Sequence, residues 1–191
     1  MSRQIFSAPA PRTDDASAQA ASERPDARPM VHSATRIETP DGPRAVETLK
    51  AGDRIVSHGG EPATLIDVVR LVLPRTDWAY APGTWPLRVP VGVLGNDTPM
   101  RLSPGMRVLL PGGAGLFAKI SDLVGIGGVA RDRPMADIRY FELHLSEHLL
   151  FQAERAWCES VPTGPRAVRE QADRDTARAA FATATGSPGA R

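Results

Sequence analysis

The sequence predicts a mostly β chain that ends in one helix. Three observations carry this. Short β-branched runs between residues 35 and 157 are cut by Gly, Pro and Asp clusters. Sustained helical periodicity is missing from that region. One stretch from Pro165 interleaves Arg, Glu and Asp behind a proline start, which is how a helix begins.

Taken in order, residues 35–39 form an extended run closed by Pro40-Asp41-Gly42, a strong turn signal. Residues 45–49 read as a second strand and Lys50-Ala51-Gly52-Asp53 as a second turn. Residues 54–57 then lead into a hairpin loop at 58–62. The run 64–73 is long and β-branched and stops at Pro74. Further strands are expected at 87–89, 107–110, 138–145 and 149–153.

A short helix is expected at 116–124, where Leu116, Ile120 and Leu123 approach helical spacing. The C-terminal helix should run over 165–182. Its apolar positions (Val168, Ala172, Ala179, Phe181) are few, so it is expected to dock weakly or fray. The implied organisation is a disordered tail over 1–29, a globular domain over 30–162, a helical segment over 163–184 and a second disordered tail over 185–191.

Composition excludes several classes. The formal charge is +1, so no net field draws the chain to nucleic acid or an anionic membrane. Only Lys50 and Lys119 among the 23 basic residues are lysine. A GC-rich bacterial genome explains this better than a phosphate-binding face, because the arginines are scattered. The one cysteine, Cys158, excludes an internal disulfide and a Cys-rich zinc cluster. The N-terminus lacks the apolar stretch of about 7–15 residues that a signal peptide needs. No window approaches the ~20 apolar residues of a membrane helix, and a cytoplasmic protein is the default expectation.

Three blocks carry a family resemblance. The first runs from Thr35 through Pro40-Asp41-Gly42 and Ala45-Val46-Glu47-Thr48-Leu49 to Gly52-Asp53-Arg54-Ile55-Val56. The second is Leu102-Ser103-Pro104-Gly105-Met106-Arg107-Val108-Leu109-Leu110. The third is Tyr140-Phe141-Glu142-Leu143-His144-Leu145-Ser146-Glu147-His148, followed by Ala156-Trp157-Cys158-Glu159-Ser160. In this order they resemble the bacterial Hint (Hedgehog/intein) modules, over roughly two-thirds of the chain. The resemblance implies a horseshoe of twisted strands whose two chain ends meet at one cleft.

It also implies a chemistry that this chain lacks. In an active module the first residue, usually cysteine, attacks the preceding carbonyl as a thiolate. The matching position here is Met30, a thioether that has no proton to lose and cannot form a neutral thioester. The second block normally supplies a histidine to protonate the departing amide; here it is Met106. Losing a positioned acid alone costs about 10²–10⁴ in rate. Methionine at both positions is expected to give an apolar, repacked cleft.

Two matching groups persist. Ser103 aligns with a hydroxyl residue that helps polarise the amide, although its plainer reading is a turn serine bonding nearby backbone. His148 aligns with the histidine of the last block, or is simply a half-buried histidine at a strand end. The expectation is a degenerate module without autoprocessing or splicing, acting as a binding or structural unit, with no catalytic residue, cofactor or metal. The competing expectation is residual self-cleavage by a rewired pair, Cys158 with His148. An unrelated β-barrel binding module is a third.

Other chemistry-bearing residues have plain readings. Ser33 lies three residues from the nucleophile position, about 10 Å along a strand. His32 and His58 read as surface or strand-start residues. His144 and His148 on one strand would stand about 13 Å apart, too far for one ion. Gly125-Ile126-Gly127-Gly128 lacks dinucleotide-loop spacing. Trp78, Tyr80 and Trp85 in the loop over 75–86 are expected to pack as a lid on the core. Their alternative is an exposed recognition loop for a protein partner.

Overall fold

A computed structural model describes residues 27–112, 115–162 and 171–186. Of the tails expected over 1–29 and 185–191, residues 1–26 and 187–191 lie outside the described residues, as do 113–114 and 163–170.

Local turn chemistry sets the first hairpin. Strands β1 (Val31–His32), β2 (Arg36–Thr39) and β3 (Gly42–Ala45) open the chain. Thr39 pairs with Gly42, so Pro40-Asp41 is a two-residue loop. Gly42 sits at φ +103°, a conformation L side chains avoid. The strand expected over 45–49 is instead a 3-10 turn, Val46–Thr48. Tertiary partners decide this: Val46 N–H donates to the Thr35 carbonyl, and Glu47 accepts from Ala34 N–H at 3.0 Å.

The remaining strands are β4 (Arg54–Ile55), β5 (Ala63–Leu73), β6 (Leu87–Val89), β7 (Met100–Leu102), β8 (Arg107–Leu109), β9 (Phe117–Lys119), β10 (Ala130–Arg131), β11 (Ile138–Leu145), β12 (Leu150–Ala153) and β13 (Ala156–Glu159). They form two antiparallel sheets. One has the order β10-β6-β7-β1-β11-β5-β4 and the other β3-β2-β12-β13-β8-β9. Val31 and Leu102 from the first sheet share one buried core with Ile37, Val108 and Ala153 from the second. A smaller cluster of Met30, Trp78, Ile138 and Tyr140 is separate from it.

The helix expected at 116–124 is corrected. Phe117 pairs with Leu109 to make a short strand, and only Ile120–Leu123 turns as a 3-10 segment. Within the predicted Trp-rich loop, Arg75–Trp78 forms a one-turn helix, α1.

The C-terminal helix α2 spans Arg174–Thr185. The Asp173 carboxylate accepts the Asp175 and Thr176 amide protons and fixes its N-cap; the part of the expected helix over 165–170 lies outside the described residues. Its buried stripe is Ala177, Phe181 and Ala182, while Ala179, expected to face inward, is exposed. Arg178 donates to the carbonyls of Asp122 and Val124 and ties the helix to the 3-10 turn. Docking is therefore firmer than the sparse apolar pattern predicted.

The β12–β13 hairpin turns through Glu154 (φ +47°) and Arg155 (φ +71°), neither of them glycine. Such residues cost about 1 kcal/mol or more in this region. Glu154 offsets that with its carboxylate. Oε1 accepts from Arg36 N–H at 2.7 Å; Oε2 accepts from the Arg36 guanidinium and, at 2.6 Å, from Thr98 Oγ1. Burial raises the Glu154 pKa, but the bonds from Arg36 and Thr98 win and hold it below its ordinary value.

Two outcomes follow. Phe181→Ala should lower stability by about 3–5 kcal/mol in denaturant titration, whereas Ala179→Glu should stay within about 0.5 kcal/mol. Glu154→Gln should destabilise the protein at pH 7. Because the folded-state pKa is depressed, the stabilisation is present above the ordinary Glu value of about 4.3 and is lost as pH falls through the folded value. The gap in Tm between wild type and variant should therefore close in acid.

Candidate active site of the module

β1 places the site. It lies in the middle of the seven-stranded sheet, Val31 paired with Phe141 on β11 and with Leu102 on β7. Ser103, just beyond β7, grips the chain immediately upstream of β1. Its hydroxyl donates to the Arg28 carbonyl at 2.7 Å and accepts the Met30 amide proton at 2.9 Å. Its own N–H donates to the Met30 carbonyl at 2.9 Å. The plain reading of Ser103 as a serine bonding only its own turn is thus corrected: it bonds residues more than seventy positions away.

The two methionines enter separate buried clusters. Met30 is wholly buried and packs with Trp78, Ile138 and Tyr140. Val31 turns to the opposite side and enters the main core. Met106 is also buried, but in that main core, with its N–H on the Ser103 carbonyl. The single apolar cleft filled by both methionines, expected from sequence, is not formed. Successive side chains on a strand face opposite ways, and the loop between β7 and β8 delivers Met106 to the far side.

The space between the two ends of the module is lined by both charged and apolar residues. A cavity of about 460 Å³ is bounded by Ala27, Arg28 and Pro29 on one side and Val161 and Pro162 on the other. The ends of the module therefore converge at one cleft, which the β-barrel alternative did not require. Residues 27–29, assigned from sequence to a disordered tail, form a wall of this cleft.

Two carboxylates, Glu142 and Glu159, also line it, each only 1% exposed. Arg28 Nη2 donates to Glu142 Oε2 at 2.5 Å, and Arg28 Nε lies 2.5 Å from Oε1, an ion-pair contact in which Oε1 accepts no hydrogen bond. His144 Nε2 stands 3.4 Å from the same residue. Glu159 is ion-paired with Arg107, and its Oε1 is 3.0 Å from His148 Nε2. His148 thus faces a glutamate. Sequence reasoning missed Arg28, Glu142 and Glu159; the signal available was a glutamate set among apolar residues at Tyr140-Phe141-Glu142-Leu143.

Cys158 is fully buried in the main core, opposite Val108 and Phe151. Burial pushes its thiol up to about 12. Ser33 Oγ is 3.3 Å from the neighbouring His32 Nδ1, and burial lowers the His32 pKa. His58 is exposed and meets the Trp157 ring edge-on. Trp78 and Trp85 pack T-shaped, with Trp78 buried, but Tyr80 is 95% exposed. Among the described residues, no group of three or more His, Cys, Asp and Glu side chains is placed to hold a metal ion. No helix among them is long and apolar enough to cross a membrane.

Two antiparallel sheets with the chain ends meeting beside a β7–β8 serine define an intein-like architecture. A Hint domain family model matches residues 29–165, and the chain belongs to that family. A substituted gp41-1 intein is similar in structure, with TM-score 0.50 and 13% identity over 70% of this chain and 100% of the intein. A bacterial intein-like domain from Clostridium thermocellum gives a TM-score of 0.47 at 15% identity over 70% of this chain and 99% of that domain. No curated protein matches the sequence.

Burial disfavours the Cys158 thiolate at pH 7 and shields the sulfur from solvent. The native protein should therefore not react with an aromatic disulfide reagent, and should release one equivalent of thiolate on unfolding. Stoichiometric labelling of the folded protein at neutral pH would contradict this.

Proposed function

We propose that this Hint domain does not cleave itself and works as a binding or structural unit with its upstream arm retained. The observation that carries the proposal is the position of Met30. Its methylated sulfur lies at the residue where acyl transfer would need an ionisable nucleophile, packed against Trp78 and Tyr140. The position matching the family's proton donor holds Met106, a thioether with no proton to give, buried in the main core.

The same geometry supports retention of the arm. Ser103 bonds both sides of Pro29, and Arg28 neutralises a buried carboxylate. A β-carbon at Gly105 would stand 2.5 Å from the Arg28 backbone nitrogen, so the arm lies directly against the loop before Met106. These contacts stabilise the uncut chain in place of a leaving segment.

Self-cleavage by Cys158 and His148 is disfavoured by the burial of the thiol in the main core. A protein partner, if it uses the aromatic loop, would meet Tyr80, since Trp78 is buried and Trp85 packs on it.

Intact-mass analysis tests the proposal. The expressed chain should remain a single 20.5 kDa species through prolonged incubation, with or without added thiol. Loss of the segment before Met30, accelerated by thiol, would overturn it.

A further inference from the structure

Strand β5, Ala63–Leu73, is covered on its outer side only at one end. There β4 pairs with Ala63 and Thr64, and the turn before β4 bonds Leu65. Over 67–73 its inner side pairs with β11, while its outer side meets no strand among the described residues. The seven-stranded sheet therefore ends on a long open edge.

The main-chain groups left open there can be named. Arg139 and Leu143 on β11 turn their carbonyls away from β5, to Ser33 N–H and Val161 N–H. Antiparallel neighbours alternate between bonded and non-bonded pairs, so Val72 and Val68, which stand opposite these two, turn outward as well. Arg70, midway between them, does the same. Val68 N–H agrees with this direction, because it donates to the Asp67 carboxylate at 2.8 Å.

Soluble proteins usually blunt such an edge with proline, lysine, a bulge or short length. Residues 66–73 read Ile66-Asp67-Val68-Val69-Arg70-Leu71-Val72-Leu73, without proline, glycine or lysine. The register shift in the β5–β11 pairing lies at the β4 end of the strand. Ile66 is 55% exposed and Val72 41% exposed. These two stand three positions either side of Val69, so the edge is complementary to itself.

A two-fold axis at Val69 sets Ile66 of one copy opposite Val72 of another and Arg70 opposite Val68. It also keeps outward-turned residues facing outward-turned residues, as an antiparallel ladder requires. Neighbouring registers fail. An axis at Arg70 puts two guanidinium groups directly opposite each other. One at Val68 brings Val72 onto Thr64, whose outer side β4 already holds. One at Leu71 sets Pro74, which has no N–H, against Val68.

We propose that β5 is a dimer seam, joining two copies of this chain antiparallel about Val69 into one continuous sheet. The seam is independent of the reading that the chain stays uncut. β5 lies downstream of Met30, so a chain severed there would keep the edge, and intact mass on the same samples tells the two apart.

Sedimentation equilibrium of the full-length protein, from about 1 to 500 µM, tests it. So short a seam is a small interface, and the dimer should dissociate at roughly 1–100 µM. Val72→Lys should weaken association at least about tenfold without lowering the Tm of the monomer, because the side chain is already exposed. Val91→Lys, at an exposed valine outside β5, should leave association unchanged. Oxidation then reads the register. Val69 faces its own copy in a non-bonded pair, with Cα atoms about 4.5 Å apart, so Val69→Cys should form a disulfide-linked dimer. Val72→Cys, about 20 Å from its copy along the seam, should not, and neither should the wild type, whose Cys158 is buried. A monomer throughout the concentration range, a dimer indifferent to Val72→Lys, or cross-linking at 72 as readily as at 69 would overturn the proposal.

Discussion

The hydroxyl of Ser103 faces two ways, taking the Met30 amide proton and giving its own to the Arg28 carbonyl. That bridge fixes where the arm ends and the sheet begins. β1 has only two residues, too few to hold its place by pairing alone. With Ser103 N–H also on the Met30 carbonyl, the strand is locked between β7 and β11, and the chain ends are brought to one cleft. The buried ion pairs around that cleft, Arg28 with Glu142 and Arg107 with Glu159, depend on this placement.

A methionine at position 30 is compatible with the fold because its backbone and its side chain have separate tasks there. The backbone of Met30 supplies the bonds that organise the site, and any residue except proline could supply them. Its side chain only fills a pocket with Trp78 and Tyr140, which an unbranched thioether does well. Met30 and Met106 pack in separate clusters. Each can be substituted as a local packing problem.

Much of the fold was legible because long β-branched runs bounded by Gly and Pro leave few alternatives. The strands at 87–89 and 138–145 were read to the residue. What escaped was short or decided from a distance. β1, β7 and β10 have two or three residues, fewer than periodicity needs. The β12–β13 turn lacks the Asn-Gly signal of a tight hairpin, since Glu154 compensates its backbone strain through Arg36 and Thr98, far along the chain. At the site, Met30, Ser103 and His148 were singled out from block order. Their partners were not, because an arginine in a Pro/Ala-rich arm gives no sign that a strand glutamate more than a hundred residues on awaits it.

The central seat of β1 also sets the order in which the molecule can be assembled. Val31 is bonded to strands that contain Leu102 and Phe141, so the part of the sheet that leaves the ribosome first finds both its neighbours last. Until about a hundred further residues have emerged, its apolar side chains have no permanent shelter. Closing a loop of that length must precede any reward from the contacts. The first-made strand is therefore the keystone, set when the arch is otherwise complete.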